Sequence, residues 1–238
     1  MGNYYTGRRA RHYNARWRTF TRRTLAEALA MIDVVTLQRL PERLGRPPRI
    51  LDVACGTGVL LQQVIEQVPD AEAYGVDASE DMLEQAHASL KGQPNVHLEQ
   101  ATFRAGAMGG LPYVPATFDL ITCTNALHSV AEPGRALAGL RRLLTPEGQL
   151  VLEDFARRTS PFPRAAFEWL MKQIDAQYVR AYTLKEAQAL CSQAGLDVVC
   201  GNVFSVDWLW HGWVLRAYRA SSGSSRRFAT PSTSFPRP

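Results

Sequence analysis

Short apolar runs alternate in this chain with stretches in which apolar residues recur every third or fourth position. Ile50, Leu51 and Val53 form the first such run, the pattern of a buried strand. After the turn Cys55-Gly56-Thr57-Gly58, a helical pattern runs from Val59 to Val68. Further runs predict strands at Glu72 to Asp77, Asn95 to Glu99 and Phe118 to Cys123, with a fifth ending at Asp154. Pro133 starts a helix with Leu137, Leu140 and Leu144 on one face. Upstream, the periodicity of Leu25, Ala28, Leu29, Ile32 and Thr36 predicts one helix, capped by Thr24 and continuing to about Leu44. Thr183 and Glu186 have capping-box spacing and open a helix that ends at Gly195. Leu196 to Phe204 and Trp210 to Tyr218 read as a closing hairpin.

The first strand leads into a turn whose glycines let backbone approach a ligand with no Cβ in the way. A strand, a glycine turn and a helix N-terminus make a nucleotide cradle, because unpaired N–H groups point into the crevice. A dinucleotide fingerprint would place glycine three residues after Gly58, where this chain has Leu61. Asp52 puts a carboxylate at the lip of the crevice, which repels a pyrophosphate and suits a cation or an amino group. Asp77 closes the second strand 19 residues after Gly58, where an acidic side chain can accept both hydroxyls of a ribose.

Asp52-Val53-Ala54-Cys55-Gly56-Thr57-Gly58 resembles the first motif of the class I S-adenosylmethionine-dependent methyltransferases, with Ala54 in place of the first glycine. Two later stretches resemble the same family: Phe118-Asp119-Leu120-Ile121 with the loop to Val130, and Leu143 to Asp154, where Glu147 replaces a glycine. The resemblance is close over about residues 45–154, looser over 183–219. It implies a Rossmann-like α/β fold, a seven-stranded sheet of order 3-2-1-4-5-7-6 with strand 7 antiparallel and helices on both faces. It also implies transfer of a methyl from S-adenosylmethionine to a small organic acceptor, leaving S-adenosylhomocysteine. By the resemblance, Asp52, Ala54, Cys55, Gly56 and Gly58 hold the amino-acid part of the cofactor. Asp77 holds the ribose, Ala78 or Met82 lies under the adenine, and Thr102-Phe103 stands where relatives carry an Asp that reaches the adenine amine. Thr124 and Asn125 then lie where the methyl sits. Asn125 is not followed by Pro-Pro-aromatic, the signature of methylation on nucleic-acid amines or glutamine.

A general base is less evident. His128 follows the fourth strand and histidine titrates near neutrality; the other reading is a histidine that packs or binds backbone. Glu153 and Asp154 end the fifth strand at the same sheet edge. Residues 155–182 form an insert in which Pro161 and Pro163 precede a helix with Phe167, Leu170, Met171, Ile174 and Tyr178 on one stripe. Phe162, Ala166 and Trp169 widen that face. Phe162 and Trp169 are expected at the substrate, or at a homodimer contact, because a large apolar patch is costly in water. Tyr13 and Trp17, from an aromatic-rich N-terminal stretch, are expected to close the same pocket.

The chain has 238 residues and 46% apolar content, enough for one such domain. We expect an arm and helix at 1–44, the domain at 45–219 with its insert at 155–182, and a disordered tail at 220–238. The net charge of +5 is unevenly placed. Residues 1–23 hold seven arginines and the last 18 residues three more, with no acid in either, so the middle carries −5. That argues against a broad nucleic-acid face on the domain. No run is long and apolar enough to span a membrane, no secretory leader is visible, and the four cysteines lack metal-ligand spacing. The expectation is a cytoplasmic protein with reduced thiols, no metal and a small-molecule substrate. Two other classes stay open: an NAD-type oxidoreductase, disfavoured by Leu61 and the closing hairpin, and a regulatory protein that binds the cofactor without turnover.

Overall fold

A computed structural model describes residues 7, 17–101, 111–157, 164–207 and 210–220 of the chain. Its elements follow the apolar pattern. Strands β1 (Arg49–Val53), β2 (Glu72–Asp77), β3 (Val96–Gln100), β4 (Phe118–Thr124) and β5 (Leu144–Phe155) alternate with helices. These helices are α1 (Arg18–Met31), α2 (Val34–Leu44), α3 (Val59–Gln67), α4 (Glu80–Ser89) and α5 (Pro133–Leu143). Then come α6 (Arg164–Ile174), α7 (Leu184–Gln193), β6 (Leu196–Ser205) and β7 (His211–Arg219). All seven strands join one sheet of order β3-β2-β1-β4-β5-β7-β6. The first five run parallel, and β7 is antiparallel to both of its neighbours.

The sheet is covered on both faces, which is why its central strands read as apolar runs rather than as alternation. Leu51, Val53, Ile121, Leu150 and Leu152 pack with Leu137 and Leu140 of α5 and Cys191 of α7. Ile50, Leu120, Val151 and Val214 face the other way, onto Leu25 and Ala28 of α1, Leu37 and Leu40 of α2, and Leu60 and Val64 of α3. A small third cluster sits at the carboxyl end of the sheet: Phe155, Met171, Tyr178 and Ala181, joined by Phe20 and Trp210. The predicted capping box at Thr183 and Glu186 is present in full.

One predicted helix is two. Between α1 and α2, Ile32 turns extended, and the backbone N–H and C=O of Asp33 both bind the buried amide of Gln149, at 2.8 and 3.1 Å. The Asp33 carboxylate then caps α2 by accepting from the Thr36 N–H. Thr24 is therefore not a cap. It lies inside α1, fully buried, where its hydroxyl donates to the Thr21 carbonyl and accepts from the Asn125 amide. Of the tail expected at 220–238, Ala220 is described, its N–H donating to the Gly195 carbonyl; the rest of the tail and the prolines expected to start α6 lie outside the described residues.

Candidate functional site

The strand order reverses between β1 and β4, and a crevice opens outside the carboxyl ends of β1, β2 and β4, where open α/β sheets bind ligands. The loop after β1 forms its floor. Ala54 there has φ +59°, followed by Gly56 at +55° and Gly58 at +77°. Cys55 N–H donates to the Val76 carbonyl, which pins the loop to β2. At the end of β2 the Asp77 carboxylate accepts the Gly56 N–H at 2.9 Å and the Ser79 N–H at 2.8 Å. One acidic side chain thus fixes the glycine loop and the start of α4, whose cap is the Ser79 hydroxyl. Ala78 and Met82 complete that wall.

Asp52 is buried at the end of β1, and the Thr122 hydroxyl donates to it at 2.7 Å. Burial raises its pKa to about 7, against the Thr122 bond, which lowers it, and with the Asp77 charge adding to the rise. A carboxylate in this state gains from any cation placed beside it. A side chain at Gly56 is disfavoured for two reasons: its left-handed φ, and a Met82 methyl that an added Cβ would meet at 3.3 Å. Gly58 is tighter, and its packing is internal: a Cβ there would meet Leu90 at 2.9 Å and Ala86 at 3.2 Å.

At the other end of the crevice stand Thr124, Asn125, His128 and Ser129, from β4 and the turn after it. The expectation of a basic His128 meets an obstacle. Its ring is buried, with Nδ1 2.9 and 3.1 Å from the two Asp154 oxygens and Nε2 3.1 Å from Asp175. Burial alone would lower its pKa, but the charges of and hydrogen bonds to Asp154 and Asp175 outweigh that and hold it at about 9. Both ring nitrogens face carboxylates, so neither is turned to an acceptor in the crevice. Of the two weaker candidates, Asp154 holds this ring. Glu153 is buried on the opposite face with no hydrogen-bond partner for its carboxyl among the described residues, and burial holds its pKa well above the usual range.

A pKa raised on folding contributes stability below the unfolded value, near 6.5, and loses it as pH rises through the folded value. The His128 contribution should therefore be complete at pH 6 and disappear across about pH 9. Urea midpoints for the wild type should fall between pH 7.5 and 10 by more than those for His128→Gln; parallel curves would mean that the ring is neutral.

The other expected site residues divide. Cys55 lines the crevice, whereas Gly58 packs inward against Leu90 and Ala86. Trp169 does not reach the crevice: it is 65% exposed on the outer side of α6, because periodicity tells which residues share a face and not what that face meets. Trp17 meets Phe20 edge-on at 5.9 Å rather than lining the crevice. Tyr13, Thr102, Phe103 and Phe162 lie outside the described residues. Other lining residues were not singled out as site residues by the sequence. Thr21 and Leu25 come from α1, and Asp175, just past α6, reaches His128 across 47 positions.

A family model described as a methyltransferase domain matches residues 47–208. A demethylmenaquinone methyltransferase of Lactococcus lactis is 33% identical over 162 residues, 67% of this chain and 62% of that protein. One of Symbiobacterium thermophilum is 36% identical over 119 residues, 50% of this chain and 47% of its own. The chain thus spans about half to three-fifths of the length of these curated relatives. Among solved structures, the 1,6-didemethyltoxoflavin-N1-methyltransferase of Burkholderia thailandensis holds 1,6-didemethyltoxoflavin and S-adenosylhomocysteine. It aligns with a TM-score of 0.64 at 20% identity, covering 88% of this chain and 84% of its own, a likeness of fold.

Proposed function

The chain belongs to the class I methyltransferase family, and we infer from this that it transfers a methyl group from S-adenosylmethionine to a small organic acceptor. The observation that carries the reading is the Asp77 carboxylate, fixed by the Gly56 and Ser79 N–H groups in the same crevice as the buried Asp52. A ligand with a diol at one point and a cationic amine at another satisfies both carboxylates. Asp77 would accept from the ribose hydroxyls, and Asp52 would face the amino group. Met82 and Ala78 would bound the adenine, and Gly56 would leave room for the amino-acid chain.

S-Adenosylmethionine, when bound, supplies a methyl already activated on a sulfonium. What remains for this chain is to hold the acceptor in line, exclude water and receive a proton. Thr124, Asn125, His128 and Ser129 border the end of the crevice where the acceptor would enter, and α1 covers it with Thr21 and Leu25. The two relatives compared above are named for a quinone, so the acceptor class to try first is an aromatic diol. Incubation with methyl-labelled cofactor and a panel of reduced demethylmenaquinone, 1,4-dihydroxynaphthalene, simple phenols and small amines tests this. The reading expects label in at least one compound. S-Adenosylhomocysteine that binds while every acceptor stays unlabelled would favour a regulatory role.

A further inference from the structure

Methyl transfer to a hydroxyl or amine releases a proton, and among the described residues His128, Ser129 and Asp175 at the acceptor end of the crevice, and Asp154 behind them, are the groups to weigh as its acceptor. Geometry removes three. Both nitrogens of His128 face carboxylates. Asp154 is 1% exposed, lies outside the crevice lining, and already accepts from His128 N–H, His128 Nδ1 and Phe155 N–H. The Ser129 hydroxyl donates to the Ala126 carbonyl at 2.7 Å, and a neutral hydroxyl is a poor base.

Resting on the methyl-transfer reading, we propose that Asp175 is the catalytic residue that takes the acceptor's proton and that His128 is the positioning residue that holds Asp175 in place. Asp175 lines the crevice beside His128 and Ser129. One of its oxygens accepts the Gln177 N–H at 2.8 Å and the other meets His128 Nε2 at 3.1 Å. His128 also fixes the chain that carries Asp175. Its backbone carbonyl accepts the N–H groups of Val179 and Arg180, both at 2.9 Å, and its ring stacks against Tyr178. Residues 175–180 are thus fastened to the turn after β4 by side chain and backbone of one residue.

The chemistry asks little of the base. As the acceptor's oxygen or nitrogen bonds to the methyl carbon, the carbon–sulfur bond breaks and its electron pair stays on sulfur. The hydrogen on the acceptor atom becomes strongly acidic in the same event and passes to an Asp175 oxygen. The products are the methylated acceptor, a neutral thioether and a neutral carboxylic acid, with His128 protonated throughout. A carboxylate already in place is a sufficient acceptor at that moment, and general-base assistance of this kind contributes about 10²–10⁴-fold.

The test uses the full chain labelled with ¹⁵N-histidine, S-adenosylhomocysteine for cofactor-site affinity and 1,4-dihydroxynaphthalene as the acceptor probe. In the wild type at pH 7.5, both His128 nitrogens should carry protons. Asp175→Asn should keep S-adenosylhomocysteine affinity within about two-fold while kcat falls by about 100-fold or more and KM for the probe hardly moves. The residual rate should rise with pH, and Asp175→Glu should restore part of the loss. A neutral His128 ring in the wild type would overturn the proposal, since the imidazole would then be the base. So would an Asp175→Asn enzyme with wild-type kcat and pH profile. Loss of both affinity and rate that Asp175→Glu leaves unrepaired would assign Asp175 a structural role instead. If the wild type fails to bind S-adenosylhomocysteine, the methyl-transfer reading falls by itself, whatever the state of the His128 ring.

Discussion

Asp77→Ala should weaken S-adenosylhomocysteine binding by roughly 30- to 1,000-fold while the chain stays folded. The side chain accepts the Gly56 and Ser79 N–H groups, and the proposed ligand adds two hydroxyls to the same carboxylate. Losing charge-assisted hydrogen bonds costs about 2–4 kcal/mol for the pair, and the loosened glycine loop adds to it. Asp77 closes β2 at its carboxyl end and is only half-buried, so the sheet itself should survive. Calorimetric titration of a variant with wild-type circular dichroism checks the expectation. An unchanged dissociation constant would place the ribose elsewhere.

Gly58→Val should strike the fold rather than the ligand. At φ +77° a side chain is strained by about 1–2 kcal/mol, and its Cβ would sit 2.9 Å from Leu90 and 3.2 Å from Ala86, both buried. Overpacking of this kind costs about 1–3 kcal/mol more. The sum, roughly 3 kcal/mol or above, should lower the melting temperature by about 6–12 °C in a chain of this size. Gly56→Val makes the contrast. Its φ strain is similar, but its Cβ meets only the flexible end of Met82, so stability should fall less and binding more. Equal melting temperatures for wild type and Gly58→Val would mean that the turn is not left-handed there.

What could be read in advance was what local pattern encodes. The second strand fell on Glu72–Asp77 as expected, because apolar positions, a preceding Pro-Asp turn and a closing acid all agree there. The capping box at Thr183 needs only residues three apart. The sheet order came from the resemblance, since no local pattern distinguishes it from other doubly wound arrangements. The break after α1 was not legible: the clamp on Asp33 is Gln149, 116 positions away. Likewise a histidine after β4 left His128 open to two readings, a base or a residue that packs or binds backbone. Sequence does not show that a carboxylate 47 positions later closes its second nitrogen. Trp169 shows the same limit: an apolar stripe marks a face and not what it meets, and Trp169 itself is exposed while Met171 and Tyr178 are buried. Ala54 is a milder case. Its φ of +59° favours glycine, yet glycine loses more entropy on folding, so the two effects, each about 1 kcal/mol, nearly cancel.

The central claim is that this crevice binds an S-adenosyl amino acid. The most direct measurement is calorimetric titration of the full chain with S-adenosylhomocysteine and, separately, with NAD. The account predicts saturable one-to-one binding of S-adenosylhomocysteine that Asp77→Ala weakens, and no binding of NAD at the same concentrations. NAD binding with no response to S-adenosylhomocysteine would contradict it.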